Sequence, residues 1–165
     1  MRVRVLLTAD THVPDFARAV PAELIEESRR ADLIVHAGDV TRACVLRELS
    51  SHAPVHAVVG NNDGSDVRRW GARDSLELDV AGVHVAVIHD AGPSKGRGRR
   101  LQRRFPDADL AFFGHSHIPM DIEEDRLRLV NPGSPTWKRR QPLPTFAVVT
   151  FGRTVEVEFR ELEPG

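Results

Sequence analysis

A chain of 165 residues is the size of one domain, expected to span 1–165, and it buries roughly two-thirds of the surface that its unfolded form exposes. Its 41% apolar content is ordinary for a soluble domain, no run nears the roughly 18 apolar residues of a membrane span, and a net charge of −1 gives no global attraction to nucleic acid or membrane. The single cysteine, Cys44, excludes an internal disulfide and a thiolate-built zinc site, so any metal must be held by oxygen and imidazole.

Met1 leads directly into an apolar, β-branched run from Val3 to Ala9, without a cleavable apolar leader, and a cytoplasmic location is the expectation. That run reads as a strand delivering Asp10, with His12 two residues on. A helix follows, with Pro21 at its first helical position and its end near Arg30. Leu33 to Ala37 reads as the second strand and delivers Asp39. Thr41 reads as the N-cap of a helix to about Ser50, with Cys44 as a small core residue. Val55 to Val59 delivers Asn61 and leads to a short helical segment, Ser65 to Trp70.

From there the pattern changes. Ser75 to Val80 and Val83 to Ile88 flank Ala81-Gly82 as a hairpin, the second strand of which delivers His89. Lys95, Arg97, Arg99, Arg100, Arg103 and Arg104 then cluster. Leu101 and Phe105 lie among them at helical spacing, so the packing reading is a solvated helix face with a buried reverse side; the functional reading is attraction of a phosphate-bearing substrate. Leu110 to Phe113 delivers His115 and His117. Arg126 to Val130, Thr145 to Phe151 and Thr154 to Arg160 read as strands, the last two joined at Gly152-Arg153, and Lys138, Arg139 and Arg140 form a second basic group. The first half is βα in rhythm and parallel, the second β-rich and partly antiparallel; two packed sheets flanked by helices accommodate both.

Five strands thus end in candidate ligands, and in open α/β sheets such ends line the crevice where ligands bind. The motifs are Asp10-Thr-His12, Gly38-Asp39, Gly60-Asn61-Asn62-Asp63, His89 and Gly114-His115-Ser-His117. Each alone is unspecific, and Gly-Asn-Asn-Asp is good turn chemistry in its own right. Their joint, ordered occurrence at strand ends is what points to a metal site. A mixed Asp, Asn and His set without sulfur suits manganese, iron or zinc better than magnesium. Two such ions, roughly 3.5–4 Å apart, need a negative group between them, and Asp39 is the candidate bridge. The pair would polarise phosphoryl oxygens and lower the pKa of a bound water, which makes phosphate ester hydrolysis the best use of the set.

The series resembles the calcineurin-like metallophosphoesterase superfamily, and more closely its small single-domain YfcE-like phosphodiesterases. The similarity runs from the first strand through Asn131-Pro132-Gly133-Ser134, and Thr145 to Val149 is similar to the family's closing strand. The resemblance implies a four-layer α/β/β/α sandwich of two mixed sheets flanked by helices, with a dinuclear site at one end of the sheets. Carried over by motif, Asp10, His12, Asp39 and His117 would hold one ion, and Asp39, Asn61, His89 and His115 the other. Asp39, Asn61 and His89 are the catalytic candidates. Two divalent ions are implied, manganese first, with iron, nickel or zinc as alternatives.

The expected reaction is hydrolysis of a small phosphodiester. The runner-up is a monoesterase acting on nucleotides or phosphoproteins, and a more distant alternative is a non-catalytic scaffold such as the retromer subunit of this fold. DNA-processing relatives carry extra DNA-binding regions, so no stable nucleic-acid partner and no membrane partner are expected; a homo-oligomer is compatible with the sequence.

Two positions depart from the family pattern. Asn62 stands where larger relatives place a histidine that protonates the leaving group and the small bacterial branch usually has cysteine; an amide is no general acid near neutral pH. Asp90 replaces a common glycine, reading either as a carboxylate that orients a ligand or as a turn residue. Asp63 reads as an orienting or a turn carboxylate, Ser134 as a substrate contact or part of a Pro-Gly turn, and Trp137 as a stacking surface for an aromatic leaving group or an oligomer contact. His36, His52, His56 and His84 match no ligand position.

Overall fold

The strand Val3–Thr8 (β1) is apolar without alternation because it lies between two layers: Val5 and Leu7 face one core, Leu6 another. The computed structural model describes residues 1–164. After β1 come Ala22–Ser28 (α1), Leu33–His36 (β2), Ala43–Ser50 (α2), Val55–Ala57 (β3) and Ser65–Trp70 (α3). The second half holds Ser75–Val80 (β4), Val83–Ile88 (β5), Arg97–Arg104 (α4), Leu110–Phe112 (β6), Met120–Glu124 (β7), Leu127–Asn131 (β8), Thr145–Phe151 (β9) and Val155–Glu161 (β10).

Two five-stranded mixed sheets result, in the orders β10-β9-β1-β2-β3 and β4-β5-β6-β8-β7. Within the first, β1, β2 and β3 are parallel, and β9 and β10 add antiparallel. Within the second, β5, β6 and β8 are parallel, with β4 and β7 antiparallel at the edges. Three apolar cores separate the layers. Leu24, Leu46, Leu49 and Phe146 pack in the core that contains α1 and α2. Val35, Val87, Phe112, Val149 and Phe151 fill the space between the sheets. Leu101, Phe105, Phe113 and Leu129 lie in the core that contains α4. This is the four-layer sandwich expected.

The β4–β5 hairpin turns at Ala81-Gly82 with both residues at positive φ, the two-residue turn whose twist matches antiparallel strands. Several local expectations are corrected. Pro21 precedes α1 as its N-cap, its carbonyl accepting the N–H groups of Leu24 and Ile25. Thr41 does not cap α2: it sits at φ +81 outside the helix, Arg42 is the N-cap, and the Ala43 N–H is taken by the Asp66 carboxylate, which reaches across from α3. Cys44 is exposed rather than core, because the buried stripe of α2 runs through Ala43, Val45, Leu46 and Leu49. The edge strand β7 was not expected; it forms a hairpin with β8 around Asp125-Arg126, both at positive φ. No helix among the described residues is long and apolar enough to cross a membrane.

Phe112 is fully buried between the sheets, close behind the loops that carry His115 and His117. Phe112→Ala is expected to cost about 3–5 kcal/mol by cavity formation, read as a lower urea midpoint with unchanged m-value.

Candidate metal centre

All seven candidate ligands stand on loops that leave the ends of β1, β2, β3, β5 and β6 on one side of the two sheets. These loops turn back sharply. Asp10, His12, Asp39, His115 and His117 all have φ between +45 and +73, and Thr41, a β-branched residue, has φ +81. Such conformations cost on the order of 1–3 kcal/mol each and persist only where the surroundings enforce them. Here the Asp10 N–H donates to the Gly38 carbonyl at 2.9 Å, the His12 N–H to Asp39 at 3.1 Å, and the Gly114 N–H to His89 at 2.9 Å. Two glycines make the convergence sterically possible. A Cβ on Gly38, itself at φ +98, would lie 2.5 Å from His89 Nδ1, and one on Gly60 would run into the Asp39 carboxylate.

The side chains meet in one cluster. Asp10 Oδ1 lies 3.5 Å from His117 Nε2, 3.8 Å from His12 Nε2 and 3.9 Å from His89 Nε2. Asp39 Oδ2 lies 3.6 Å from His12 Nε2 and 3.4 Å from His89 Nε2. The Asn61 side-chain oxygen is 3.1 Å from His89 Nε2 and 3.2 Å from His115 Nδ1. Asp10 with His12 and His117, and Asp10 with Asp39 and His89, thereby form two overlapping groups whose ligand atoms lie within 4.8 Å of one another. Both carboxylates, not Asp39 alone, lie between the two groups of imidazoles.

Neighbouring groups aim these atoms. His89 Nδ1 donates to the Ala37 carbonyl at 2.7 Å and His117 Nδ1 to the Trp137 carbonyl at 2.6 Å, which turns both Nε2 atoms toward the carboxylates. Asp10 Oδ2 accepts the His115 N–H at 2.9 Å, leaving Oδ1 without a partner. Buried His12 Nε2 and His117 Nε2 are likewise without hydrogen-bond partners.

Electrostatics follow from burial in this crevice. Burial raises the Asp10 carboxyl to about 7, against the pull of His89 and reinforced by Asp39. Burial lowers His12, and takes His117 down to about 4, so both imidazoles stay neutral with lone pairs to give. Asp39 is also raised by burial, but the bond and charge of His89 and two bonds from Asn62 outweigh this and hold it well below the carboxylate range. His89 is the converse: burial opposes its charge, yet Asp39 and Asp10 raise it to about 9.

An oxygen and two imidazole nitrogens, buried, convergent and unsatisfied, fit a divalent cation. Each orphaned atom otherwise costs about 1–3 kcal/mol.

The sequence profile of the calcineurin-like phosphoesterase superfamily domain matches residues 3–154. The chain belongs to this superfamily. It is 37% identical over 137 residues to a probable metallophosphoesterase of Methanothermobacter thermautotrophicus, covering 79% of this chain and 76% of that protein. It is 24% identical over 142 residues to a phosphodiesterase of Methanocaldococcus jannaschii, covering 81% and 83%. Among solved structures, Vacuolar Protein Sorting 29 from Cryptosporidium parvum superposes with a TM-score of 0.79 at 18% identity, covering 98% of each chain, a likeness of fold.

For a calcineurin-like phosphoesterase the surroundings of the ligands are as telling as the ligands themselves. The Asn62 N–H donates to Asp39 Oδ1 and its side-chain amide to Asp39 Oδ2, both at 2.8 Å. Asp63 accepts the N–H groups of Asp39, Thr41 and Gly60 at 2.7–3.0 Å, tying the second and third ligand loops together. Asp90 follows its turn reading, Oδ1 accepting the Gly92 N–H at 2.8 Å; Oδ2 lies 3.8 Å from His115 Nε2, beyond hydrogen-bond distance. Ser134 is buried and donates to the Asp10 carbonyl at 2.7 Å, which makes it a brace for the Asp10 turn rather than a substrate contact.

Thr136, which the sequence did not single out, donates to the Thr11 carbonyl at 2.8 Å, and Asn131 donates to the Gly114 carbonyl at 3.1 Å. His36 is a packing residue: its Nδ1 accepts the Gly38 N–H, so Nε2 donates to Thr11 Oγ1, and burial lowers it to about 3. The α4 basic group follows the packing reading, since Leu101 and Phe105 are buried and Arg97 and Arg100 donate to carbonyls of the 91–93 loop.

A divalent cation at about 100 times its Kd should stabilise the stripped protein by about 2.7 kcal/mol, raising Tm by about 5–10 °C. In His117→Ala that shift should fall to less than half, as measured by thermal unfolding with manganese, nickel, magnesium and zinc in turn.

Proposed function

We propose that this phosphoesterase hydrolyses small phosphodiesters with good leaving groups at a site for two divalent cations, manganese first among them. The observation that carries the reading is the pair of overlapping ligand groups that share the buried Asp10 carboxylate, with Asp39 in one of them, beside an amide where a proton donor would otherwise stand. Asp10, His12, Asp39 and His117 would hold one ion, and Asp39, Asn61, His89 and His115 the other. When bound, the ions supply Lewis acidity toward the phosphoryl oxygens and an activated water. Asp39 keeps its charge at the centre of the cluster, and Asn62 fixes both of its oxygens. The phosphodiesterase of Methanocaldococcus jannaschii among its relatives supports the same class of reaction.

Asn62 narrows the substrate. Its amide has no proton to give at neutral pH, and it is already engaged with Asp39, so a departing alkoxide would gain little from it. Aryl or similarly stabilised leaving groups need no such help. The small substrate implied has no need of a nucleic-acid or membrane partner.

Protein stripped of metal and reloaded with manganese is expected to cleave bis-p-nitrophenyl phosphate faster than the matching monoester; no turnover under any divalent metal would sink the enzymatic reading. Asp39→Ala should lose both bound ions and activity, and retention of two tightly held ions would refute its bridging place. Asn62→His removes the side-chain bond to Asp39 and should cost both esters alike on that account, while raising kcat/KM for an alkyl-leaving-group diester relative to the p-nitrophenyl diester at least about 10-fold, within the range of general acid catalysis. Equal effects on both esters would show that position 62 does not govern leaving-group departure.

A further inference from the structure

Arg139 lies in the loop between β8 and β9, on the rim of the metal centre. Among the described residues no carboxylate lies within ion-pair distance of it. Its Nη1 donates to the carbonyl of His115 at 3.3 Å, and its guanidinium lies 5.1 Å from the centroid of the Trp137 ring. That ring in turn packs edgewise against His12 at 5.3 Å and His117 at 5.5 Å, and stacks on Phe16 at 4.8 Å and 7°. The Trp137 carbonyl holds His117 Nδ1, so the residue that seats the arginine also aims a ligand.

With cations held at the candidate site, this placement would favour the arrival of an anion. Two divalent ions held by Asp10 and Asp39 would leave an excess of positive charge, and a guanidinium beside them would add to the repulsion. Cation–π contact with Trp137 holds the group in position, while most of its five N–H donors stay free. A planar fork of donors beside a site for cations would match a phosphoryl group, which could place some oxygens toward the metals and others toward the arginine. The neighbouring cations differ. Lys138 donates to the Gln141 carbonyl within its own loop, and no contact ties Arg140 to the ligand cluster.

We propose that Arg139 clamps the substrate's phosphoryl group, with Trp137 as the positioning residue that holds the guanidinium over the metal centre. The assignment rests on the phosphodiesterase reading for its substrate but not for its test, since inorganic phosphate alone is a sufficient probe.

Manganese-loaded protein is titrated with inorganic phosphate by calorimetry, and KM and kcat for bis-p-nitrophenyl phosphate are measured in parallel. Arg139→Ala should weaken phosphate binding and raise KM by about 10–50-fold, the loss expected for a charge-assisted hydrogen-bonded contact, with manganese content and Tm unchanged. Arg139→Lys should recover part of the loss, as a point charge without the fork. Trp137→Leu should cost about 3–10-fold with the arginine still present. Arg140→Ala should stay within about 2-fold of the parent.

The clamp is overturned if the parent protein binds no phosphate, or if Arg139→Ala matches the parent. It is also overturned if Arg140→Ala costs as much as Arg139→Ala, which would mean general attraction, or if Arg139→Ala loses manganese, which would mean a brace for His115. Arg139-dependent phosphate binding without diester hydrolysis would uphold the clamp and remove the phosphodiesterase reading. Hydrolysis indifferent to Arg139 would do the reverse.

Discussion

Two carboxylates buried side by side repel each other and resist desolvation, and the architecture around Asp10 and Asp39 answers to that conflict. Each is compensated differently. Burial raises the Asp10 carboxyl to about 7, and the single N–H on Oδ2 with no partner on Oδ1 does little to offset it. Asp39 receives both donors of Asn62 and the charge of His89, so it stays ionised. Asp10 therefore carries most of the demand for a cation, and the unpartnered Nε2 atoms of His12 and His117 lie beside its open oxygen. Breaking such a set by removing one partner is costly, because the remaining charge stays buried.

The strained turns that present these groups are enforced from two sides. Ser134 and Thr136 come in from the loop after β8 and hold the carbonyls of Asp10 and Thr11. Asp63 holds three N–H groups of the second and third ligand loops. The ligands themselves are divided between the sheets: Asp10, His12, Asp39 and Asn61 follow strands of one, His89, His115 and His117 strands of the other. Each ligand group thus draws on both sheets, and ligand spacing is set by how the inter-sheet core packs. Close contacts at the seam fix it further. The His89 ring donates across to the Ala37 carbonyl, and a Cβ on Gly114 would come within 2.9 Å of both Ala9 Cβ and Asp10 Oδ2. Interiors packed this closely transmit small shifts rather than absorb them.

How much of this was legible in the sequence depends on range. Strands buried on both faces, such as β1, or bounded by a two-residue turn, such as β4 and β5, carry their own signal in apolar runs and turn residues. β7 does not: Met120-Asp-Ile-Glu-Glu is a largely exposed edge strand, paired only because β8 lies beside it. The cap of α2 was misread for a related reason, since Thr41 is a good local cap by type but is held at φ +81 by the ligand loop, and Asp66 from another helix takes over. Cys44 was assigned to the core by residue type, whereas helix phase turns it outward. At the site, the ligand types, their strand-end positions and Asp63 as an orienting or turn carboxylate were visible, but the backbone partners of the supports were not. Ser134, Thr136 and Asp63 act through carbonyls and N–H groups remote in sequence, and nothing in their identity announces which backbone atom they will hold.

Asn62 shows how the electrostatic constraint reaches the chemistry. A histidine at this position could carry a proton to a leaving group, but it would also place a titrating cation next to Asp39. Asn62 instead gives Asp39 one bond from its side-chain amide and one from its backbone N–H, and the amide does not titrate. The side-chain bond that Asp39 receives from position 62 therefore does not depend on a titrating group there. Under the proposed hydrolysis the site would give up assistance to a basic leaving oxygen and keep the Asp39 carboxylate ionised beside His12 and His89. Under the same proposal, selection among substrates would fall to the intrinsic stability of the departing anion and to the cation that meets the phosphoryl group from the rim.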